Sequence, residues 1–436
     1  MRIHSFAGGV HPRETLGGKR VTGAAPVVDA MPPATVAIAL SQHVGAPCRP
    51  LVKPGDTVLM GQKVGEPTGL GAPVHSPVSG TVKGIKQRTL ASGVRVDCVI
   101  IENDGRDSPC SPLNALRDPL NADIPELLAA VREAGLVGLG GAAFPTHVKL
   151  SPPKDKKIEY LLINGAECEP YLTGDHRMMV EKPQDVIDGA RIAARILGAE
   201  HVKIGVERNK PDAISALKAH AGKYAEVCRL RAKYPQGGEK QLIRALTGRR
   251  APSGGLPMDV GCVVLNVSTA AQLAVSLRTG MPLISRVVTV TGLVKKPCNL
   301  RVRVGTDIGS VIEQAGGALP GADRVILGGP MMGTGAYNLN TPVTKATGGV
   351  LLLGAEKPPR ETSCIRCASC VRACPMGLLP LNIYALGKKQ RFAEAAVREH
   401  ALDCMECGAC AYGCPAKLPL VHMIRVVKRA VKGKRG

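Results

Sequence analysis

The chain has few aromatic residues and no tryptophan. Its 436 residues include three phenylalanines, Phe6, Phe144 and Phe392, and seven tyrosines. Proteins that bind single-stranded nucleic acid stack the bases on aromatic side chains. The formal net charge of +22 would suit an anionic partner, but the basic residues are scattered along the chain. We therefore expect no nucleic-acid partner.

The chain also lacks a long apolar run. The first ten residues show no apolar core of a secretory signal. The most apolar stretch, 260–277, is interrupted by polar residues such as Asn266 and Gln272, so it is not expected to span a membrane. Any membrane association should then be peripheral. Fifteen cysteines in a chain without a signal peptide argue against a disulfide framework.

Eight of those cysteines form two runs with the same spacing. The runs are Cys364, Cys367, Cys370 and Cys374, and Cys404, Cys407, Cys410 and Cys414. A proline follows the last cysteine of each run. This is the pattern of bacterial ferredoxins with two 4Fe-4S clusters, in which the fourth cysteine of each run ligates the other cluster.

The spacing thus predicts two ligand sets. One consists of Cys364, Cys367, Cys370 and Cys414, and the other of Cys374, Cys404, Cys407 and Cys410. Zinc is the alternative, but zinc sites use two cysteine pairs with a free spacer. The segment 377–403 is long enough for two short helices, which predicts an α-helical two-cluster domain.

Residues 48–103 are typical of a small β domain. The phrases 52–58 and 74–82 each predict strand–turn–strand, and they resemble the two halves of a biotinyl- or lipoyl-like barrel. A carrier of that type needs a lysine at the hairpin tip, and the tip at 66–72 has none. We expect a structural barrel-sandwich domain.

The middle of the chain alternates helix and strand patterns, which predicts a Rossmann-like α/β domain. Its expected elements are helices 126–134, 184–197 and 213–221 and strands 158–163 and 202–206. The next segment returns to short strands with one helix and is β-grasp-like. Its expected elements are strands 286–291, 301–304 and 324–327, and a helix at 307–315 capped by Thr306.

Four polar phrases could bind a ligand. A glycine loop with Gly138, Gly140 and Gly141 could hold phosphate on its amides or be a structural turn. The phrase 164–170 places carboxylates at the end of a strand, where ligands bind in α/β domains, although an exposed acidic turn is the alternative. The phrases 234–240 and 265–269 each lead into a helix.

In order and spacing, these four phrases resemble the FMN pocket of the flavin- and NADH-binding subunit of respiratory complex I. With the opening phrase 6–12, the barrel, the β-grasp segment and the cysteine runs, nearly the whole chain resembles the C subunits of Rnf electron transport complexes. The resemblance implies four domains: a barrel-sandwich domain at 1–110, an FMN/NADH domain at 111–282, an SLBB-like β-grasp domain at 283–356 and a two-cluster domain at 357–436.

The resemblance also implies roles for particular residues. The FMN phosphate and ribityl chain would be held by Gly138, Gly140, Gly141 and Lys149, with Asn266 and Thr269 closing the phosphate end. The flavin would be lined by Asn164, Glu167 and Cys168. The nicotinamide side would be faced by Glu169 and Glu239, with Gly238 beneath. Phe144 would stack on the dinucleotide, and no side chain is expected to act as catalytic acid or base.

This sequence departs from the complex I pattern at several positions. Complex I has a basic residue at the position of Leu139, an acid at Ala166, a glutamate at Lys240 and an asparagine at Leu265. Its adenine-stacking Phe-Pro corresponds to Ala251-Pro252. The resemblance therefore supports FMN binding more strongly than it supports the same grip on NADH.

The function implied is that of a cytoplasmic NADH module on the bacterial inner membrane. It would pass electrons between NADH and ferredoxin through the membrane and iron–sulfur subunits of an Rnf complex, coupled to Na+ or H+ movement. The alternative is a soluble flavin and iron–sulfur cobalamin reductase of a bacterial microcompartment, which shares much of this domain order.

The C-terminal segment is basic and carries an apolar stripe at helical spacing. The stripe consists of Leu420, Ile424, Val427 and Val431, and Lys428, Arg429 and Lys432 lie beside it. It could dock on a partner protein or on anionic lipid, or pack on its own domain.

Overall fold

The computed structural model describes residues 3–110, 115–356 and 359–433. Its strands are β1 (Ile3–His4), β2 (Val27–Asp29), β3 (Thr35–Ala39), β4 (Cys48–Pro50), β5 (Thr57–Val58), β6 (Lys63–Pro67), β7 (Val74–His75), β8 (Gly80–Thr89), β9 (Arg95–Asn103), β10 (Tyr160–Gly165), β11 (His201–Glu207), β12 (Glu226–Leu230), β13 (Cys262–Asn266), β14 (Ser285–Gly292), β15 (Cys298–Arg303), β16 (Ala322–Leu327), β17 (Thr334–Gly335) and β18 (Gly349–Gly354).

The helices begin with the α/β region and end with the cysteine-rich region. They are α1 (Ile124–Glu133), α2 (Thr146–Lys149), α3 (Gly174–Glu181), α4 (Pro183–Leu197), α5 (Pro211–Ala221), α6 (Glu239–Thr247), α7 (Val267–Thr279), α8 (Ile308–Gln314), α9 (Ser369–Ala373), α10 (Pro380–Lys388), α11 (Phe392–Val397), α12 (Ala409–Tyr412) and α13 (Leu420–Lys432). None of the described helices is long and apolar enough to cross a membrane.

The barrel-sandwich region consists of two small sheets. Strands β3, β9, β8 and β5 form one, and β4, β6 and β7 form the other. Apolar side chains of both sheets, such as Val36 and Ile38 of the first and Val64 of the second, are buried between them.

The α/β region has a parallel sheet in the order β1, β12, β11, β10, β13. Helices α4 and α7 pack on one face and α6 on the other. Strand β10 begins with a continuous apolar run, Tyr160–Ile163, and residues 161–163 are buried. Such runs are typical of strands that are covered on both faces of the sheet. The pairing of β10 with β11 continues to Gly165, so this strand ends two residues later than predicted.

The third region has a mixed sheet in the order β17, β16, β18, β14, β15, β2, with α8 packed against it. The predicted N-cap of its helix is wrong. Asp307, not Thr306, is the N-cap of α8, because its carboxylate accepts a hydrogen bond from the Ser310 amide at 2.8 Å. The Thr306 hydroxyl donates instead to the carbonyl of Arg303.

The described N-terminal segment, residues 3–30, contributes one strand to each of two sheets outside the barrel. Strand β1 pairs with β12 of the α/β sheet, and β2 pairs with β15 of the mixed sheet. The N-terminal segment therefore ties the α/β and mixed-sheet regions together.

The C-terminal region is helical, and α10 and α11 fill the segment between the cysteine runs as predicted. The apolar stripe of α13 is buried within this region: Leu420, Ile424 and Val427 are at most 1% exposed. The docking alternative for this stripe is thus wrong, and the stripe packs on its own domain. Residues 434–436 of the basic C-terminal segment and residues 357–358 at the start of the predicted two-cluster domain lie outside the described residues.

Candidate functional site

A cleft of about 1320 Å³ opens at the carboxyl ends of β10 and β13. All thirteen residues predicted to hold FMN and NADH line it. Ligand pockets for single small molecules are about 300–1,000 Å³. This cleft is therefore large enough for a flavin with part of a second nucleotide.

The glycine loop forms one wall of the cleft. The Leu139 amide donates to the Thr269 hydroxyl at 2.9 Å, which fixes the loop over the start of α7. Gly141 has a φ of +113°, and a Cβ built there would meet nothing within 4 Å. The loop therefore leaves open space beside its backbone, which is what the close approach of a phosphate or ribityl chain needs.

Two asparagines lie side by side at the floor of the cleft. Asn164 and Asn266 are register partners on β10 and β13. Asn164 donates to the Gly237 carbonyl at 2.8 Å, and Asn266 caps α7 by accepting from the amides of Ser268 and Thr269. These side chains hold the loops of the cleft in place.

The carboxylates of the phrase 164–170 are bound by backbone amides. Glu167 accepts from the Asp175 and His176 amides at the start of α3. Burial raises the pKa of Glu167 to about 7, although the positive charge of the buried Lys19 acts in the opposite direction and lowers it. Glu169 accepts from the Met331 and Met332 amides at 3.0 and 2.8 Å, so it joins the cleft to the mixed-sheet region.

Cys168, between these glutamates, is a protonated thiol. Burial raises its pKa to about 12, and its sulfur accepts from the Gly237 amide at 3.3 Å. It therefore lines the cleft without adding a charge.

An ion pair closes one side of the cleft. The Lys149 amine lies 2.6 Å from a carboxylate oxygen of Glu239, the first residue of α6. Both side chains remain partly exposed. Phe144 also lines the cleft and is half-buried.

The residues present fit FMN. The Thr146 hydroxyl lines the cleft, is buried, and has no hydrogen-bond partner among the described residues. Buried hydroxyls are nearly always bonded, so an unbonded one in a cleft points to a ligand. The N-terminus of α7 also faces this wall, and helix N-termini favour anions such as phosphate.

Sequence reasoning missed Thr146, Asp175 and Arg286 as cleft residues. Thr146 follows Phe144-Pro145 directly at the start of α2, and that position could have identified it. Arg286 comes from β14 and donates to the Leu139 and Lys345 carbonyls. Burial lowers its pKa to about 10, so it stays charged, and no local sequence signal connects it with the glycine loop.

The two predicted ligand sets of cysteines are called the outer and the inner cysteine group. The outer cysteine group is Cys364, Cys367, Cys370 and Cys414, and the inner cysteine group is Cys374, Cys404, Cys407 and Cys410. Burial raises the pKa of Cys410 to about 12, and the nearby Cys404, Cys407 and Cys374 thiolates add to that rise. Cys414 acts in the same way on Cys370. The last cysteine of each run thus lies beside the other run.

The distances between the sulfurs distinguish a cluster from a zinc ion. Zinc holds its sulfurs about 2.3 Å from one centre, so that they lie roughly 4 Å apart. Among the described residues, the one trio of potential ligand atoms within 4.8 Å of each other is His4, Glu226 and Cys228. There Glu226 is already paired with Lys203 at 3.1 Å. No three of the eight cysteine sulfurs in the described part of the chain lie that close together.

The inner cysteine group borders the cleft. Met405, between two of its cysteines, lines the cleft, and a Cβ built on Gly238 would lie 2.8 Å from the Met405 methyl group. The Tyr234 hydroxyl donates to the Cys407 carbonyl at 2.6 Å. Cys364 and Cys367 of the outer group are exposed. The arrangement therefore has one inner and one surface-facing cluster site.

Four family models match the chain. They describe the RnfC barrel sandwich hybrid domain at residues 4–106, the Nuo51 FMN-binding domain at 131–275, the SLBB domain at 287–335 and a 4Fe-4S dicluster domain at 363–418. These matches confirm the predicted fold classes and the predicted cofactors, FMN and two 4Fe-4S clusters.

Curated relatives cover nearly the whole chain. It is 47% identical to the C subunit of the Na(+)-translocating ferredoxin:NAD(+) oxidoreductase complex of Acetobacterium woodii, over 99% of this chain and 98% of that protein. It is 43% identical to the proton-translocating counterpart of Clostridium ljungdahlii, over 98% and 94%. A solved NAD+-reducing NiFe-hydrogenase, at 20% identity and a TM-score of 0.55, shares the fold over 74% of this chain and 69% of that one.

Proposed function

The chain belongs to the RnfC family, the C subunits of ion-translocating oxidoreductase complexes, and from this premise we propose that it is the NADH-oxidising subunit of such a complex. It exchanges electrons between NADH and the other subunits, and through them with ferredoxin, coupled to Na+ or H+ translocation. The observation that carries this proposal is the contact between the FMN-type cleft and the inner cysteine group, made by Met405 and Tyr234.

We assign FMN to the glycine-loop wall of the cleft. The loop amides and the α7 N-terminus attract the phosphate, and Thr146 offers the hydroxyl that lacks a partner. When bound, FMN and the clusters supply the redox chemistry, and the protein supplies binding and orientation. Glu167 and Glu169 are fixed by backbone amides, so they shape the cleft and do not abstract protons.

The dinucleotide enters beside the Lys149–Glu239 ion pair. Phe144 provides an aromatic face there, and Gly238 leaves the backbone bare beneath it. Since NADH carries two phosphate charges, Lys149 can release Glu239 and turn toward the ligand. We place the protein at the cytoplasmic face of the inner membrane, where it is held by the other subunits of the complex.

The proposal is tested with the purified chain after anaerobic cluster reconstitution and FMN addition. We expect one tightly bound FMN and reduction of ferricyanide by NADH. Lys149→Met should lower this activity about tenfold or more, because charge-assisted hydrogen bonds contribute about 1.5–3 kcal/mol. The control is Lys156→Met, whose exposed amine pairs with Asp259 on the surface. Failure to retain FMN, or an equal effect of both substitutions, would contradict the assignment.

A further inference from the structure

The segment 6–10, hereafter the strap, runs between the α/β region and the C-terminal region. The Gly9 amide donates to the Ala373 carbonyl at 3.0 Å, next to the inner-group residue Cys374. Val10 exchanges two backbone hydrogen bonds with Tyr234, at 2.8 and 2.9 Å. The strap thus binds the end of the first cysteine run on one side and a loop of the cleft on the other.

The first glycine of the strap is required by sterics. Gly8 has a φ of +83°, and a Cβ built there would lie 2.7 Å from the Cys374 carbonyl oxygen. Real Cβ atoms do not approach a backbone oxygen so closely. A side chain at this position must push the strap and the Cys374 backbone apart.

A buried lysine fastens the strap from the cleft side. The Lys233 amine donates to the carbonyls of Phe6 and Gly8 and lies 3.8 Å from the centre of the Phe6 ring. Its side chain is 9% exposed. The same loop continues into Tyr234, whose hydroxyl bonds the Cys407 carbonyl. One unit therefore contacts the backbone of two inner-group cysteines from two different runs.

We infer that the strap, together with Tyr234, is a positioning element that sets the separation between the flavin cleft and the inner cysteine group. This inference rests on the proposed function. Oxidation of one NADH to NAD+ releases two electrons and a proton, and each cluster accepts one electron. Electron transfer falls steeply with distance, so a shift of the inner group slows cluster reduction and leaves NADH oxidation at the flavin intact.

The experiment is anaerobic stopped-flow reduction of the FMN- and cluster-loaded full chain by NADH. It follows the flavin absorbance and the broad iron–sulfur absorbance separately. Gly8→Ala is compared with Gly321→Ala, a control with the same φ of +83° and nothing within 4 Å of its Cβ. Tyr234→Phe is the second variant, because it removes one hydrogen bond and adds no steric clash. Dithionite reduction verifies the cluster content of each variant.

For Gly8→Ala we expect cluster reduction slower than in Gly321→Ala, with flavin reduction at the wild-type rate. Tyr234→Phe should show the same pattern with a smaller change, and Gly321→Ala should match the wild type. If neither Gly8→Ala nor Tyr234→Phe slows cluster reduction relative to Gly321→Ala, the positioning role is overturned. If NADH fails to reduce the flavin of the wild type, the proposed function fails instead.

Discussion

The two cysteine groups have the same local spacing and different surroundings. Each group buries two cysteines, but the outer group also presents Cys364 and Cys367 to solvent, whereas Cys374 and Cys404 of the inner group are only partly exposed. The inner group is also held by Tyr234, the strap and Lys428, whose amine lies 2.9 Å from the Cys404 carbonyl and 2.6 Å from Glu406. Exposure and nearby hydrogen bonds and charges set cluster potentials.

This difference assigns a direction along the domain. The inner group adjoins the cleft, so in the proposed function it is the group that exchanges electrons with the flavin. The outer group has two cysteines at the surface. Identical sequence motifs therefore lie in different surroundings because of what packs around them.

The largest effect is expected when one cluster is deleted at a time, which tests whether the inner group precedes the outer group in electron transfer. In Cys407→Ala, NADH should reduce the remaining outer cluster much more slowly, because the inner cluster between the flavin and the outer cluster is lost. In Cys367→Ala, the inner cluster should still be reduced at nearly the wild-type rate. Anaerobic stopped-flow absorbance with EPR measures both. Rapid reduction of the outer cluster in Cys407→Ala would reverse the order.

A second prediction concerns the cleft that feeds the inner group. Thr146→Val should weaken FMN binding about threefold to tenfold, because one net hydrogen bond contributes about 0.5–1.5 kcal/mol. Thr291→Val is the matched control: Thr291 is also buried with an unpartnered hydroxyl, and it is not among the residues that line the cleft. Fluorescence titration with FMN measures the two affinities. An equal loss in both variants would remove Thr146 from the site.

A third prediction concerns the reduction potentials of the two cluster sites, which a substitution of Lys428 should change unequally. A positive charge beside a cluster favours its reduced form, so Lys428→Met should lower the inner potential by on the order of tens of millivolts. The outer potential should not change. Lys388→Met, an exposed lysine on α10, serves as the control. EPR-monitored redox titration would refute the prediction if the outer potential moved and the inner one did not.

The smallest effect on electron transfer is expected at Lys345, which joins three regions away from the cysteines. Its buried amine donates to the Pro73 and Gly135 carbonyls, and burial lowers its pKa to about 7. The unfolded chain then binds more protons than the folded one between about pH 7 and 10.5. The wild type should therefore gain about 2 kcal/mol of unfolding free energy relative to Lys345→Met from pH 7 to 9.

Denaturant unfolding of the anaerobic protein at several pH values measures this gain. The NADH-driven rate of cluster reduction at pH 7 should be unchanged by the substitution. A stability difference that stays constant between pH 7 and 9 would show that the Lys345 amine is charged in the folded protein.

The cysteine groups and the cleft also differ in how far the sequence predicts them. All ligands of a cluster lie within two short runs, so spacing alone indicates the chemistry. The cleft joins segments that are far apart, such as Gly141, Asn266 and Arg286. The family resemblance identified thirteen of the residues that line it, but Arg286 acts through the Leu139 carbonyl, and only the tertiary structure brings the two together.

Two wrong predictions and one omission have the same cause, which is that the sequence does not show the contacts made in the tertiary structure. Asp307 and Thr306 are both good N-cap residues, and only the observed hydrogen bond distinguishes them. The stripe on α13 has the same pattern whether it meets a partner or its own domain. Strands β1 and β2 are two and three residues long, too short for a periodic signal, although they pair with distant sheets.

The central claim is that electrons from NADH reach the clusters through this one chain. The most direct test is an anaerobic NADH titration of the chain loaded with FMN and clusters, followed by visible absorbance. We predict that the flavin band and the broad iron–sulfur absorbance bleach together. If dithionite bleaches the clusters and NADH leaves both bands unchanged, the chain does not oxidise NADH and the account is contradicted.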